Sequence, residues 1–422
     1  MHPLPDQRII RRLTSSAEGM YPMRLSLAAL KSMKDDRPYA VLFLMNSLYY
    51  MIVAAFMPYL PAYYRSLGFS MLQIGVLAAI GSICAILIQP VWSNLSDRLG
   101  NRLLVLRIVI AGSLVTVLLF SLPRAFIGLF LVVTLFQSFF TAIMPVQDAI
   151  SLTYCNQGGR SYAGIRMGGT VGYALLVMGT GYLASTGTGM GRLVALAAVG
   201  FLAMMALTRS MPRDDSGAMC GRLTSLGTLL HNRRLVAFLM FAFAYYLGLA
   251  FIFSFVSVHI RNMGLSNQYI GYAMFIAAVS EIPVLVLIDR VLRRMSPARI
   301  MLASGLVLAV RLLLTSQATD FAGIALAQCL HGLCYMTVFY SGMQFINREV
   351  STELKASGVG LLALIQSGLA SILSSVAGGW LADRMSIQRV MLLNAAFVLI
   401  VTAVGFGVYL LRNRIPYLRP TA

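Results

Sequence analysis

The stretch AVSEIPVLVLIDRVLRR, residues 278–294, sets one carboxylate in an apolar run and ends in a cluster of basic residues. The apolar run that contains it, residues 270–288, is long enough to cross a bilayer. A charged side chain inside such a run is costly, so it usually faces a cavity and a partner. We therefore predict that Glu281 belongs to a functional site. The alternative is a structural carboxylate, paired with a neighbouring helix or lying nearer the membrane interface.

Similar apolar runs recur along the whole chain. Of its 422 residues, 59% are hydrophobic and only 11% are charged, whereas roughly a quarter of a soluble domain is charged. We expect an all-α integral membrane protein with twelve transmembrane helices. The predicted spans are 40–62, 71–95, 103–122, 126–149, 163–185, 189–208, 235–258, 268–288, 298–316, 320–345, 357–381 and 388–411.

The net charge of +19 would suit a nucleic-acid-binding protein, but its distribution argues for a membrane topology instead. Cytoplasmic loops of membrane proteins collect Lys and Arg. With both termini placed in the cytoplasm, 26 of the 33 Lys and Arg residues lie on that side, six lie outside, and Arg311 falls within a span. We predict a multi-pass protein of a bacterial cytoplasmic membrane. Its partner is then the lipid bilayer, and we expect it to bind no nucleic acid.

Polar segments divide the chain into five parts. The first 38 residues hold seven Lys or Arg and no apolar core segment, so we expect a cytoplasmic tail rather than a cleavable signal peptide, with Met33 as an alternative start. The predicted parts are the N-terminal tail 1–38, a six-helix bundle 39–208, a cytoplasmic loop 209–234, a second six-helix bundle 235–411 and a C-terminal tail 412–422.

The two predicted bundles have related sequences. YYRSLGFSMLQIG (63–75) matches HIRNMGLSNQYIG (259–271), and GYLAS (181–185) matches GWLAD (379–383). Parallel halves with a binding site at their interface are the architecture of a large class of transporters.

The loop after the second span, SNLSDRLGNRLLVL (93–106), resembles the signature of the major facilitator superfamily. A second copy, DRVLRR (289–294), lies after span eight, with Leu292 in place of the glycine. The resemblance implies a gating motif in which an Asp pairs with an Arg across the seam between the halves and releases it when the inner gate opens. The matching residues are Asp97, Arg98, Gly100 and Arg102 in the first copy and Asp289, Arg290, Arg293 and Arg294 in the second; Ser93 and Asn101 depart from the signature.

Three further segments narrow the resemblance: PYLPAYYRSLGFSMLQIG (58–75), YAGIRMGGTVGY (162–173) and EIP (281–283). They are similar to the branch that contains lactose permease-like, nucleoside and phenylpropionate proton symporters. By its spacing, the resemblance implies a solute site at Asp148 and Arg166, eighteen residues apart, although Arg166 could instead be a positive-inside residue at a helix start. It also implies a coupling site at Glu281, Arg311 and His331 in spans eight, nine and ten.

One departure concerns the coupling proton. Lactose permease carries a proton-binding glutamate one turn after the histidine, where this chain has Cys334. A thiol, with an ordinary pKa of about 8.5, is a poor substitute for a titrating carboxylate. Glu281 or Asp148 must then carry the proton, alone or with His331. Glu281 is the preferred carrier because its apolar run disfavours the charged form.

Other polar and aromatic residues fall on helix faces that could line a cavity. Gln328 shares a face with His331, three residues later. Asn46 and Tyr50 share a face of span one, and Tyr245 and Tyr246 lie in span seven. These side chains could contact a sugar ring or a nucleobase, and helix packing is an equal alternative.

The leading hypothesis is a monomeric secondary transporter that takes up a small solute with protons by alternating access. A sugar, a nucleoside and an aromatic carboxylate all fit the residues. Proton-driven efflux is less favoured because span five lacks the proline of the efflux glycine motif. A non-transporting sensor would need a larger soluble domain. We find no nucleotide-binding loop, no clustered nucleophile and base, and no metal set. We therefore expect no enzyme activity and no cofactor other than the coupling proton.

Overall fold

The computed structural model describes residues 36–185, 189–212, 229–351 and 354–414, which form twelve long helices. The predicted tails 1–38 and 412–422 and the predicted loop 209–234 lie largely outside these ranges. The helices are α1 Arg37–Ser66, α2 Met71–Leu99, α3 Arg102–Ser121, α4 Phe126–Gly158, α5 Tyr162–Ser185, α6 Gly189–Leu207, α7 Arg233–Asn262, α8 Asn267–Arg294, α9 Pro297–Gln317, α10 Phe321–Glu349, α11 Ser357–Met385 and α12 Ile387–Arg414.

Eleven helices of the described part are long and apolar enough to cross a membrane. The helix outside this group is α5, which has 24 residues. Six of them are glycine and one is Arg166, so its mean hydropathy is lower. Because α5 matches its neighbours in length and packs between α1 and α8, we assign it as the twelfth span.

The turns that follow α1 and α7 have the same structure. Gly68 and Gly264 adopt left-handed φ angles of +86° and +79°, which glycine tolerates without strain. Arg65 donates to the carbonyl of Phe69 at 3.1 Å, and Arg261 donates to that of Leu265 at 2.7 Å. The sequence repeat therefore corresponds to a structural repeat, in which an arginine closes the turn into the next helix.

Asp36 connects the start of α1 to the end of α4. Its carboxylate accepts from the Tyr39 backbone N–H at 3.3 Å and from the Tyr154 hydroxyl at 2.5 Å, and it forms an ion pair with Arg160. Burial opposes ionisation of the carboxyl, but these two donors and the guanidinium together lower the pKa of Asp36 below its ordinary value.

We expect Asp36→Ala to lower the free energy of unfolding by about 1 kcal/mol because it removes a helix cap. Asp36→Asn keeps a cap but loses the charge. Since the pKa of Asp36 is lower in the folded protein than in the unfolded chain, its charge stabilises above the unfolded pKa, near pH 4. That stabilisation is lost as the pH falls through the folded pKa. Thermal unfolding in detergent should show a gap between wild type and Asp36→Asn that narrows on acidification. A gap independent of pH would contradict this account.

The two halves of the molecule meet at the end where Asp383 and Ser185 lie, here called the Asp383 end. Asp383, near the end of α11, accepts from the backbone N–H groups of Met71 and Leu72 at 2.7 and 2.9 Å. These are the first residues of α2 in the other half. A helix N-terminus has unpaired N–H groups and a partial positive charge, so a carboxylate stabilises it.

The symmetry-related contact uses a neutral side chain. Ser185, at the end of α5, accepts from the backbone N–H of Gln268 at 2.9 Å, and Asn267 donates to the Ala184 carbonyl at 2.7 Å. Each half therefore caps the first helix turn of a helix in the other half. Close packing of α2 on α11 needs Gly75, where an added Cβ would overlap the Ser375 carbonyl oxygen.

The halves separate at the opposite end, here called the Asp97 end. The last part of α2, Gln89–Leu99, packs mainly against α3 and α4 of its own half. The helical segment Lys355–Ala363, which begins two residues before α11 and continues into it, packs mainly against α10. A cavity between the halves is therefore closed towards the Asp383 end and opens towards the Asp97 end.

The two copies of the gating motif differ in structure. In the first copy Gly100 ends α2 with a left-handed φ of +59°, and Asn101 caps α3 by accepting from the Leu104 N–H at 2.9 Å. Asp97 pairs with Arg102 of the same half at 3.6 Å. The resemblance implied that Asp97 pairs with an arginine of the other half. In the described structure it pairs within its own half instead, because the two halves are separated at this end.

In the second copy Leu292 replaces the glycine, so the left-handed turn is missing and α8 continues to Arg294. Arg348 donates to the Leu292 carbonyl at 3.5 Å near the end of this helix. Arg290, Arg293 and Arg294 are exposed on its last turns. The side chain of Asp289, also predicted to belong to the motif, lies outside the described part of the structure.

Candidate substrate and coupling site

A cavity of about 870 Å³ lies between the two halves. This volume is within the range of small-molecule sites. Side chains of both halves form its wall, which is mainly apolar and carries few charges. Its aromatic members are Tyr50, Tyr173, Tyr246, Phe253, Tyr335, Phe339 and Tyr340.

Glu281 and His331 meet in this cavity. The Glu281 Oε1 and His331 Nε2 atoms are 3.1 Å apart, and the side chains are only 15% and 7% exposed. The imidazole stacks on Tyr335 and lies edge-on to Phe253. The predicted residues of spans eight and ten are thus in direct contact, in mainly apolar surroundings.

A close approach of α8 and α10 makes this contact. The N–H of Gly332 donates to the Ser280 hydroxyl at 2.9 Å, and a Cβ on Gly332 would overlap the Ser280 carbonyl oxygen. Pro283, two residues after Glu281, has no N–H for the Val279 carbonyl. Gly332 was not among the predicted site residues, although it sets the distance between two that were.

Arg311 also borders the cavity, with only 1% of its surface exposed. Its Nη2 donates to the Gln328 Oε1 at 2.7 Å. Its Nε and Nη1 have no oxygen or nitrogen partner in the described structure, and Cys334 lies beside it. The predicted Arg311, Gln328 and His331 therefore line one wall, and no described carboxylate pairs with the guanidinium.

The predicted pair in spans four and five is also in contact. Arg166 Nη1 and Asp148 Oδ2 are 3.4 Å apart, with side chains 44% and 23% exposed. Arg166 lines the cavity, whereas Asp148 is not among the lining residues and contacts Arg166. A partly exposed pair of this kind contributes little to stability, but it gives the Arg166 charge a carboxylate partner beside the cavity.

Of the four tyrosine and asparagine residues predicted to line a cavity, two do so and two are buried between helices. Tyr50 and Tyr246 line the cavity. Asn46 is fully buried, and a Cβ on Gly169 of α5 would lie 2.6 Å from its Oδ1. Tyr245 is buried as well, donating to the Cys334 carbonyl at 2.9 Å and bonding Ser304 at 2.9 Å. For Asn46 and Tyr245 the structure favours helix packing over the predicted cavity wall, because both side chains point into interhelical contacts.

Sequence reasoning missed the part of the wall that α11 contributes. Gln366 and Ser367 line the cavity from a π-helical turn, Leu364–Ala370. Such turns are frequent at functional sites. The Nε2 of Gln366 is buried without a hydrogen-bond partner. The available signal was a glutamine, Gln366, within the apolar span predicted at 357–381. The π-helical turn itself has no periodic pattern by which the sequence could predict it.

Comparison with known proteins identifies the family. A sequence model of the MFS_1 like family matches residues 39–393. The chain is 27% identical to a maltose permease of Geobacillus stearothermophilus, over 80% of this chain and 85% of the permease. It is 24% identical to a protein of Escherichia coli named "Probable 3-phenylpropionic acid transporter", over 78% of this chain and 88% of that protein.

Among solved structures, the nucleoside transporter NupG superimposes with a TM-score of 0.78 at 17% identity, covering 88% of this chain and 98% of NupG. The predicted fold of twelve helices in two related bundles is confirmed, and the relatives are transporters rather than enzymes. The chain is therefore a multi-pass membrane transporter of the major facilitator superfamily and belongs to its MFS_1 like family.

Proposed function

We propose that this protein is a proton-coupled symporter of a bacterial cytoplasmic membrane. It would take up a small polar or aromatic solute by alternating access. The observation that carries the proposal is the Glu281–His331 contact of 3.1 Å in the wall of the central cavity. Two bacterial relatives, a maltose permease and a protein named as a probable 3-phenylpropionic acid transporter, support transport of a small polar or aromatic solute.

The contact gives the coupling proton a place to reside. A proton shared between Oε1 of Glu281 and Nε2 of His331 is held by a hydrogen bond, and it removes the net charge of a carboxylate from mainly apolar surroundings. Since the pair lies in the cavity wall, the proton and the solute would occupy the same compartment. Both are then exposed to whichever side of the membrane the cavity faces, which is the physical requirement for coupling.

The seam explains how access could alternate. Under the predicted topology the Asp97 end faces the cytoplasm, and the structure is therefore in an inward-facing state. Release of the caps at Met71 and Gln268 would free the Asp383 end to open, while the Asp97 end closes. Asp97 would then be free to exchange Arg102 for a partner in the other half.

Solute-linked proton entry into proteoliposomes with an internal pH dye tests the proposal. We expect Glu281→Gln to abolish solute-driven acidification, because the amide cannot release a proton, while exchange of labelled solute across the membrane survives. The matched control is Glu349→Gln, which alters a glutamate paired with Arg234 at 3.5 Å outside the cavity wall.

Three results would contradict the proposal. Solute entry without proton movement would exclude symport of the solute with protons. Proton movement opposite to the solute would indicate the efflux antiporter that the sequence left as an alternative. Full acidification by the Glu281→Gln variant would exclude Glu281 as the carrier.

A further inference from the structure

We propose that the transported solute is a monocarboxylate with an aromatic or similarly flat apolar body, and that its carboxylate binds Arg311. This inference rests on the proposed transport function and adds the class of substrate to it. Its starting point is a buried cation in the cavity wall that lacks an anionic partner.

The guanidinium of Arg311 has unused donors. Only its Nη2 is hydrogen-bonded to an oxygen in the described structure, to the neutral side chain of Gln328 at 2.7 Å. Among the described residues, no oxygen or nitrogen atom accepts from its buried Nε and Nη1, and the group beside them is the neutral thiol of Cys334. A buried charge without a partner is expensive, and an arginine side chain matches a carboxylate with two parallel hydrogen bonds.

The charges around the cavity leave room for one anion when the proton is bound. Arg166 is balanced by Asp148, at 3.4 Å, and the carboxylate of Glu281 contacts His331 rather than Arg311. When Glu281 takes up the coupling proton, one negative charge disappears, and Arg311 is left as the uncompensated charge. A monoanionic solute would restore neutrality.

This charge balance provides the coupling. The proton on Glu281 favours binding of an anion, and the anion at Arg311 favours retention of the proton, because coupling between two sites is reciprocal. Sites of low polarity strengthen such interactions between charges. A neutral sugar or nucleoside would leave Arg311 unpaired and would gain nothing from the bound proton.

The rest of the wall suits an apolar body. Seven aromatic side chains of the described residues line the cavity, contributed by both halves. Tyr335 and Phe253 surround the imidazole of His331, with ring centroids 5.6 and 5.5 Å from its own. Aromatic rings interact favourably with a flat apolar group. The wall also holds neutral polar side chains such as Gln366 and Ser367, so the discrimination against a sugar rests on the charge of Arg311 rather than on a lack of polar partners.

A comparison of acid and amide on the unaltered protein provides the first test. We would measure binding of 3-phenylpropionate, 3-phenylpropionamide, maltose and uridine to the purified protein, and solute-driven acidification of proteoliposomes by each. The expected result is binding and proton entry with the acid, and binding roughly 10- to 100-fold weaker with the amide, which cannot form the charged pair. Equal binding of acid and amide would overturn the inference.

A pair of variants at Cys334 provides the second test. Cys334→Glu places a carboxylate beside Arg311 that should compete with the solute and weaken binding of 3-phenylpropionate roughly 10- to 100-fold. Cys334→Gln has the same size without the charge and should weaken it much less. Arg311→Lys, which keeps the charge but not the planar fork, should lose less affinity than Arg311→Gln. Loss of carboxylate binding in Arg166→Gln, together with normal binding in Cys334→Glu, would place the anion elsewhere and overturn the assignment.

The outcomes separate this inference from the proposed function. Proton entry driven by maltose or uridine but not by the acid would overturn the carboxylate assignment and leave proton symport standing. Solute entry without any proton movement would overturn the symport proposal itself.

Discussion

Gly332→Ala should abolish solute-driven proton entry and lower the stability of the transporter by about 1–3 kcal/mol, the usual cost of overpacking a tight contact. The added methyl group would occupy the space of the Ser280 carbonyl oxygen and would also lie 2.8 Å from the Cα of Glu281. Because both contacts are backbone atoms, they cannot be relieved by rotating a side chain. The helices α8 and α10 would have to move apart, and the contact between Glu281 and His331 would lengthen from 3.1 Å.

Proton entry into proteoliposomes and thermal unfolding in detergent together measure this effect. Gly407→Ala is the matched control, since nothing lies within 4 Å of a Cβ at that position. We expect the control variant to transport and unfold like wild type. Normal proton coupling by the Gly332→Ala variant would show that the Glu281–His331 distance is not critical.

Most of the fold could be predicted from the sequence because the bilayer imposes a length on each helix. Span five, predicted at 163–185, is α5 at Tyr162–Ser185. Some helices extend well beyond their predicted apolar spans. The fourth was predicted to end at residue 149, but α4 continues to Gly158 and stops at Gly159, which adopts a left-handed φ of +60°. Hydropathy marks the part of a helix inside the membrane, whereas local backbone geometry decides where the helix ends.

Glu281 was predicted from its charge within an apolar run, but its grouping with Arg311 and His331 was predicted through resemblance rather than through helical periodicity. Glu281 and His331 are separated by 50 residues, and only the spacing of a known family suggested that they meet. Periodicity is weak in these helices because apolar residues cover most of their surface. For that reason the sequence could not separate Tyr246, which lines the cavity, from its neighbour Tyr245, which bonds Ser304 in the helix packing.

Close approaches between helices were the least predictable feature. A glycine in an apolar helix can reflect tight packing or nothing at all. Gly332 and Gly75 each face a backbone carbonyl, whereas Gly179 faces open space. The sequence does not distinguish these cases, since the difference depends on the position of a neighbouring helix that is distant in the chain.

The second large effect is expected at the Asp383 end. Gly75→Ala should shift the transporter out of the state described here and towards one that is open at that end. The added methyl group would overlap the Ser375 carbonyl oxygen, so α2 could not remain against α11. Overpacking that costs about 1–3 kcal/mol in one state only would change the ratio of the two states roughly 5- to 150-fold. Separation of α2 from α11 would also break the bonds from Met71 and Leu72 to Asp383.

Distances between spin labels measure this shift directly. Labels at residues 66 and 262, both exposed at the Asp383 end on α1 and α7, report the separation of the halves. Cys329, which is exposed, would first be replaced by serine, and so would Cys220. We expect Gly75→Ala to add a population with a longer distance, and Gly179→Ala, on α5 of the same half and with open space at its Cβ position, to leave the wild-type distribution unchanged.

Asp383→Ala should produce a smaller shift in the same direction, because it removes the two bonds to the start of α2 without introducing an overlap. Ser185→Ala should have a still weaker effect, since a neutral hydroxyl stabilises a helix N-terminus less than a carboxylate does. An unchanged distance distribution in Gly75→Ala would mean that α2 and α11 accommodate the added methyl group without separation of the two halves. A larger shift for Ser185→Ala than for Asp383→Ala would mean that the charge of Asp383 does not hold this end closed.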